Sequence, residues 1–294
     1  MLQDFLRVHP EVVECTTEAV VKLVALLTRE HQCSYAELPP SPLDDGTFFG
    51  PATHFVSHAR SCGFGEIIDA IKCEEAAEAA EADSGAADRA ARPTRYYWID
   101  VFAMNHTPQP ARQQQPGQPQ ESQQADAEAQ ELVQQLEGVV RGCGTTLALL
   151  SPWDAPAALR QAWCLFEHMV ALAARGPAGL KYVTGSAQDK DRVARIGDRF
   201  HRVMQQVSSV DVRAARAAGE AERAAIVARL SAAALHQGAG GGIDALNAGV
   251  RAALQQWLRD CVGVAAATLS QEHGPDDSRV AALRELVAPP EAAR

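Results

Sequence analysis

The run ALRQAWCLFEHMVALAA, residues 158 to 174, carries one carboxylate, Glu167, among mostly apolar side chains. Wound as a helix at about 100° per residue, it places Leu159, Ala162, Trp163, Phe166 and Val170 on one buried stripe and His168 on the opposite side. Glu167 falls at the edge of the stripe, one turn after Trp163. There a carboxylate can face a crevice while its stem stays packed, which makes it a candidate catalytic group. The alternative is an edge glutamate that pairs with an arginine or meets water. Cys164 invites a nucleophilic reading, but a thiol inside an apolar helix with no assured base is expected to be inert.

Further polar groups stand where apolar runs end. THFVSHA (53–59) closes on Ser57 and His58, with Arg60 just beyond. RYYWIDVF (95–102) leads to Asp100, Asn105 and His106, and TTLALL (145–150) leads to Ser151, Pro152, Trp153 and Asp154. These runs read as buried strands, with GLKYVTG (179–185) as a shorter fourth. Amphipathic helices follow them. Phe64, Ile67, Ile68 and Ile71 have helical spacing, as do Leu132, Val133, Leu136, Val139 and Val140, closed by Gly142 and Gly144. Strands alternating with helices imply a parallel sheet covered on both faces, so the expected fold class is α/β, flavodoxin-like in layout. In such sheets ligands bind beyond the carboxyl ends of the strands, where the connections diverge. That rule gathers the strand-end residues and points them toward Glu167.

The flanks divide the chain into three parts. Residues 1–50 read as an N-terminal helix, from about 10 to 30, and a loop, ELPPSPLDDGTFFGP. Residues 51–186 form the α/β part, and residues 187–294 a helical C-terminal extension. Two inserts interrupt the middle. The acidic, Ala-rich segment at about 74–92 either lengthens a core helix or protrudes, and the Gln/Pro-rich segment at about 106–130 is expected to be mostly disordered. In the extension, Val193, Ile196, Phe200 and Val203 stripe a helix over about 189–207, and a second covers about 214–235. After the GAGGG break a last one carries Ile243, Leu246, Val250, Leu254, Trp257 and Leu258. These helices either pack on the sheet or bind a partner helix.

Composition excludes several classes. The net charge of −10 and the lack of a Lys/Arg cluster along the chain argue against nucleic-acid binding. Seven scattered cysteines without a C-x-x-C pair suit reduced thiols and a cytoplasmic location. No basic start followed by an apolar run, and no span of roughly 18 apolar residues, suggests secretion or a membrane. The dispersed histidines show no metal-ligand spacing, and phosphate-loop, dinucleotide-loop and serine-hydrolase phrases are absent. No cofactor or metal is expected.

Three motifs carry a family resemblance over about residues 50 to 185. THFVSHARSCGFGEIIDAI resembles the opening strand and helix of TIR domains, YYWIDVF their second strand with its acidic residue, and TTLALLSPWDAPAALRQAWCLFE the strand, loop and helix ending in W-C-x-x-E. More narrowly, the chain is similar to TIR-like proteins of algae and other protists. Arg60 stands where that group usually has tryptophan, and Ala59 where many TIR domains have arginine. The resemblance implies hydrolysis of NAD+ to nicotinamide and ADP-ribose or a cyclic product, with Glu167 as the essential glutamate and self-association into a homo-oligomer. It further implies that Ser57, His58, Arg60, Asp100, Trp153 and Trp163 line or support the substrate site. Trp153 would stack on a base or cap the core, and Trp163 is expected to pack and fix the helix of Glu167. One carboxylate suffices for this chemistry. Nicotinamide leaves a cationic N-glycoside as a neutral molecule, so no acid is needed to protonate it, unlike an ordinary glycosidase leaving group. The alternative, motivated by the altered Ala59 and Arg60 positions and by the polar insert, is a non-enzymatic module in which the TIR-like fold and the C-terminal helices mediate signalling assembly.

Overall fold

The computed structural model describes residues 2–39, 50–84, 94–107, 121–233 and 242–287. Its centre is a four-stranded, all-parallel sheet of β1 (His54–Ser57), β2 (Tyr97–Trp98), β3 (Thr145–Leu149) and β4 (Leu180–Val183), ordered β2-β1-β3-β4. Ser57 stands opposite Ala148, and Leu149 opposite Val183, so β1, β3 and β4 end close to one level. Side chains alternate across the sheet as the two-residue strand period requires. Val56 and Leu149 enter one core, while Phe55, Ala148 and Leu150 enter another. Both faces of the sheet are therefore covered.

The first core is closed by α1 (Leu2–Val8), α2 (Thr17–Thr28), α3 (Phe64–Ser84) and α4 (Asp100–Ala103). The residues expected to form one helix from 10 to 30 instead make a 3-10 turn, Pro10–Glu14, and then α2, which begins behind Thr16. Thr16 has extended backbone and caps Ala19 N–H through its hydroxyl, which breaks the chain direction there. The second core takes α5 (Glu121–Gly142), α6 (Ala162–Arg175) and the later helices α7 (Ser186–Ser208), α8 (Glu220–Ser231), α9 (Ile243–His273) and α10 (Ser278–Val287). The C-terminal helices thus share the sheet's own core, and packing on the sheet is the alternative realised. None of the helices among the described residues is long and apolar enough to cross a membrane.

Three further expectations need correction. Residues 121–130 of the Gln/Pro-rich insert belong to α5, where Ala, Glu and Gln favour a helix and Ala129 reaches the core; residues 108–120 lie outside the described residues. The strand expected over 95–102 shrinks to Tyr97–Trp98 because the chain turns into α4 at Asp100. The helix expected over 214–235 starts only at Glu220, behind Gly219, and a further helix, α10, follows α9. For the acidic insert the longer helix is the alternative realised, α3 running as far as Ser84; residues 85–93 lie outside the described residues, as does most of the GAGGG break.

Candidate functional site

β1 delivers Ser57 to the carboxyl edge of the sheet with its side chain buried, and the Ser57 hydroxyl donates to Glu167 Oε2. One turn earlier on α6, the Cys164 thiol donates to the His58 carbonyl at 3.3 Å. These two bonds pin one face of α6 against the end of β1. The helix is buried on other sides as well. Trp163 donates through Nε1 to Glu222 of α8 at 3.1 Å, and His168 meets the Tyr182 ring of β4 edge-on at 5.5 Å. The single buried stripe expected for α6 is therefore a correction: His168, placed opposite that stripe, is fully buried too, because sheet and C-terminal helices enclose the helix between them.

The remaining strand-end groups converge on the same edge. His58 is buried, and its Nε2 lies 3.3 Å from Asp100 Oδ1, close but outside hydrogen-bonding geometry, which leaves both atoms without a hydrogen-bond partner. Arg60, half exposed, approaches the other Asp100 oxygen at 3.7 Å. His106 contacts the Asp100 carbonyl through Nε2 at 2.9 Å, and Asn105 donates to the Gln32 carbonyl at 2.8 Å. The loop after β1 is held from the N-terminal side. Glu18 N–H donates to the Arg60 carbonyl at 2.9 Å, Thr17 N–H to that of Cys62 at 2.9 Å, and Phe64 N–H to that of Cys15 at 2.8 Å.

The electrostatics follow from this enclosure. Burial pushes the Glu167 carboxyl up to about 8; the Ser57 bond opposes the rise and the Asp100 charge adds to it. Burial also lowers His58, with Asp100 pulling it back up and Arg60 pushing it further down, so the imidazole is neutral near pH 7. The Cys164 thiol is raised well above the ordinary range by burial and then by Glu167, which makes it a structural thiol and no nucleophile.

Two tryptophans lie apart from this group. Trp153 is buried, with its Nε1 donating to Asp191 of α7 at 2.9 Å, so it caps the core and presents no face for a base. Trp163 packs edge-on against Phe166 at 5.9 Å and steadies α6 from the α8 side. The structure thus brings Ser57, His58, Arg60, Asp100 and Glu167 together and sets Trp153 and Trp163 behind them.

No family model, curated protein or solved structure matches the chain. Function must be argued from the site itself. A second carboxylate, passed over in the sequence, lies at the neighbouring strand end. Glu66 of α3 accepts from Gly63 N–H at 3.0 Å and from the Ser151 hydroxyl at 2.5 Å through Oε2, while Gln188 of α7 donates to its Oε1. Gln188 also reaches Ser151 Oγ at 3.1 Å. A legible signal existed, because a glutamate at the third helical position commonly reaches back to the N–H before the helix. Two cavities, of about 280 and about 540 Å³, are lined by other residues, His106 alone among the strand-end groups bordering the larger one. Across the β1/β3 boundary, then, α3 leaves toward one face of the sheet and α6 toward the other, and each brings a glutamate back to a serine at a strand end.

Proposed function

We propose that the chain is a TIR-like protein of flavodoxin-like fold that hydrolyses NAD+ to nicotinamide and ADP-ribose or a cyclic product, with Glu167 as its catalytic residue. The observation that carries the reading is the bond between Ser57, at the tip of β1, and Glu167, on the helix after β3. Strand order β2-β1-β3-β4 makes the β1/β3 boundary the place where successive connections part to opposite faces, which is where open parallel sheets bind ligands.

The chemistry follows from one carboxylate. As the bond between the ribose and the pyridinium nitrogen breaks, the electron pair goes to nicotinamide and positive charge grows on the ribosyl ring. An ionised Glu167 beside that ring stabilises the charge, and it does so more strongly in an enclosed site than in water. Water then adds to the anomeric carbon and gives up a proton, which a carboxylate with a raised pKa is well matched to accept. A cationic substrate also favours ionisation of Glu167, so its binding and loss of the Glu167 proton are linked. Ser57 holds the carboxylate, and the neutral His58 with Asp100 supplies polar groups toward the ribose. Arg60, beside Asp100 at this edge, suits the diphosphate. The setting proposed is cytoplasmic, with self-association into a homo-oligomer.

The test is release of nicotinamide from NAD+ by purified protein, with and without a crowding agent that favours assembly. Turnover that disappears in Glu167→Ala, with circular dichroism unchanged, supports the reading. No turnover under assembling conditions removes it.

A second reading, a non-enzymatic module for signalling assembly, is favoured by the exposed apolar side chains Val8, Val13, Leu26 and Leu27 of the N-terminal segment. It predicts that Leu26→Asp lowers the mass measured by light scattering while Glu167→Gln leaves assembly and signalling untouched.

A further inference from the structure

Arg160, Arg202 and Arg216 are far apart in the sequence, yet they line one cleft of about 280 Å³ between the segment preceding α6 and the end of α7. We infer that this cleft is a binding site for a small phosphorylated molecule, separate from the Glu167 site and independent of its assignment.

The first argument is charge. Among the described residues none of the three guanidiniums forms an ion pair; Arg160 reaches only the Ala155 carbonyl, at 3.4 Å. One carboxylate, Asp211, also lines the cleft, but it is already engaged. Its Oδ1 accepts from Arg213 N–H at 3.0 Å and from Asn247 at 2.9 Å, and its Oδ2 faces the Arg213 guanidinium at 3.5 Å. The chain as a whole carries a net charge of −10, so carboxylates are plentiful, and three arginines gathered with none of them in an ion pair among the described residues stand out. The carboxyl end of α7 nearby contributes at most about half a negative charge, which three full positive charges outweigh.

The second argument is construction. Arg160 and Arg216 sit on two segments joined by backbone pairing: Arg216 N–H donates to the Arg160 carbonyl and Ala162 N–H to the Arg216 carbonyl, both at 2.8 Å. The spacing of their backbones is thus fixed by the fold, and Arg202 of α7 lines the same cleft. A planar guanidinium donates two parallel hydrogen bonds to a phosphate, and three of them on different elements can surround a tetrahedral or bridged anion. Gln206 and Ser209 add polar lining. The volume sets the ligand's size, since it falls below the roughly 300–1,000 Å³ of sites that enclose drug-sized molecules. A diphosphate or a sugar phosphate fits that limit, and a whole dinucleotide exceeds it.

The test is calorimetric titration of the full chain with pyrophosphate and with ribose 5-phosphate, sodium chloride holding ionic strength constant. One saturable site is expected, weakened at least tenfold in Arg202→Gln and in Arg216→Gln. Arg259→Gln, a change of equal charge on α9 outside the cleft, should leave it intact. Arg202 lies on an exposed helix surface, so its variant decides the matter if Arg216→Gln folds poorly. The assignment is overturned if neither probe saturates, if sulfate binds as tightly as both, or if all three variants weaken binding alike.

Discussion

Replacing Glu167 with glutamine separates the charge of this residue from its shape. Burial raises the carboxyl from 4.5 to about 8, and 8 − 4.5 is about 3.5 pH units. At about 1.36 kcal/mol per unit this is roughly 5 kcal/mol against the ionised form. Part of the side chain meets solvent, and screening brings the working magnitude to about half, 2–3 kcal/mol. The folded pKa lies above the unfolded one, so the protonated group's contribution to stability is fully present below about 4.5 and is lost as pH rises toward 8. Urea denaturation of both proteins across this range checks the sign. Below pH 4.5 the wild type and the glutamine variant should differ by a constant amount, and above it the variant should gain about 2–3 kcal/mol relative to wild type. The same carboxylate governs turnover. Since only its ionised form stabilises the ribosyl cation, kcat/KM for NAD+ should rise about tenfold per pH unit below an inflection at about 8. Ser57→Ala removes the bond that lowers this pKa and should move the inflection upward. A stability difference and a kcat/KM that both stay flat from pH 5 to 8.5 refute the reasoning, because no buried carboxylate would then be titrating.

Three further perturbations address the frame around the site. His168 is buried with neither ring nitrogen hydrogen-bonded, and burial drives it down to about 3, below its ordinary 6.5. The unfolded chain therefore binds the extra proton between those values, and His168→Leu should stabilise the fold at acid pH by up to about 1.4 kcal/mol per unit below 6.5, read from melting curves at pH 4 and 7. Arg229 of α8 donates through Nη2 at 2.9 Å to the buried Glu137 of α5, which Arg141 also holds at 2.7 Å. Burial works to raise Glu137, yet the two arginines outweigh it, so Arg229→Ala should cost about 1–3 kcal/mol in urea melts at pH 7 and less near pH 4. A Cβ at Gly65 would lie 2.7 Å from the Val13 carbonyl oxygen. Gly65→Ala should then cost about 1–3 kcal/mol and speed amide hydrogen exchange at Thr17, Glu18 and Phe64, whose N–H groups tie the N-terminal segment to the loop after β1.

What could be read from the sequence was what depends on local pattern. The alternation that sends Val56 and Phe55 to opposite faces is a two-residue period, and the placement of Glu167 beside the end of β1 followed from a helix register and a rule about parallel sheets. What could not be read depends on neighbours distant in the chain. His168 looked outward on a helical wheel, yet β4 covers that side. Trp153 stood in a loop where stacking on a ligand was one option, until α7 supplied Asp191 as its partner. Glu66 and Gln188 are 122 positions apart and meet only because α3 and α7 both border the end of β3.

The same dependence sets what a site here requires. Ser57 alone would be an ordinary strand-end hydroxyl, and Glu167 alone would keep its usual acidity in water. The raised pKa comes from burial of the carboxyl, with Asp100 adding to it and the Ser57 bond opposing it, and α6, which carries it, is held between β1, through Ser57, and α8, through Trp163 and Glu222. The terminal segments are thus part of the electrostatics of the strand ends as well as their cover. Loosening α8 from α6 admits water beside Glu167, lowers its pKa and weakens its hold on a developing cation, because the carboxylate then acts in a higher dielectric. Trp163→Phe, which removes the Glu222 bond and trims the indole to a single ring while keeping an aromatic face on Phe166, is a mild way to do this. It should lower the Glu167 inflection in kcat/KM while leaving Glu167 itself in place.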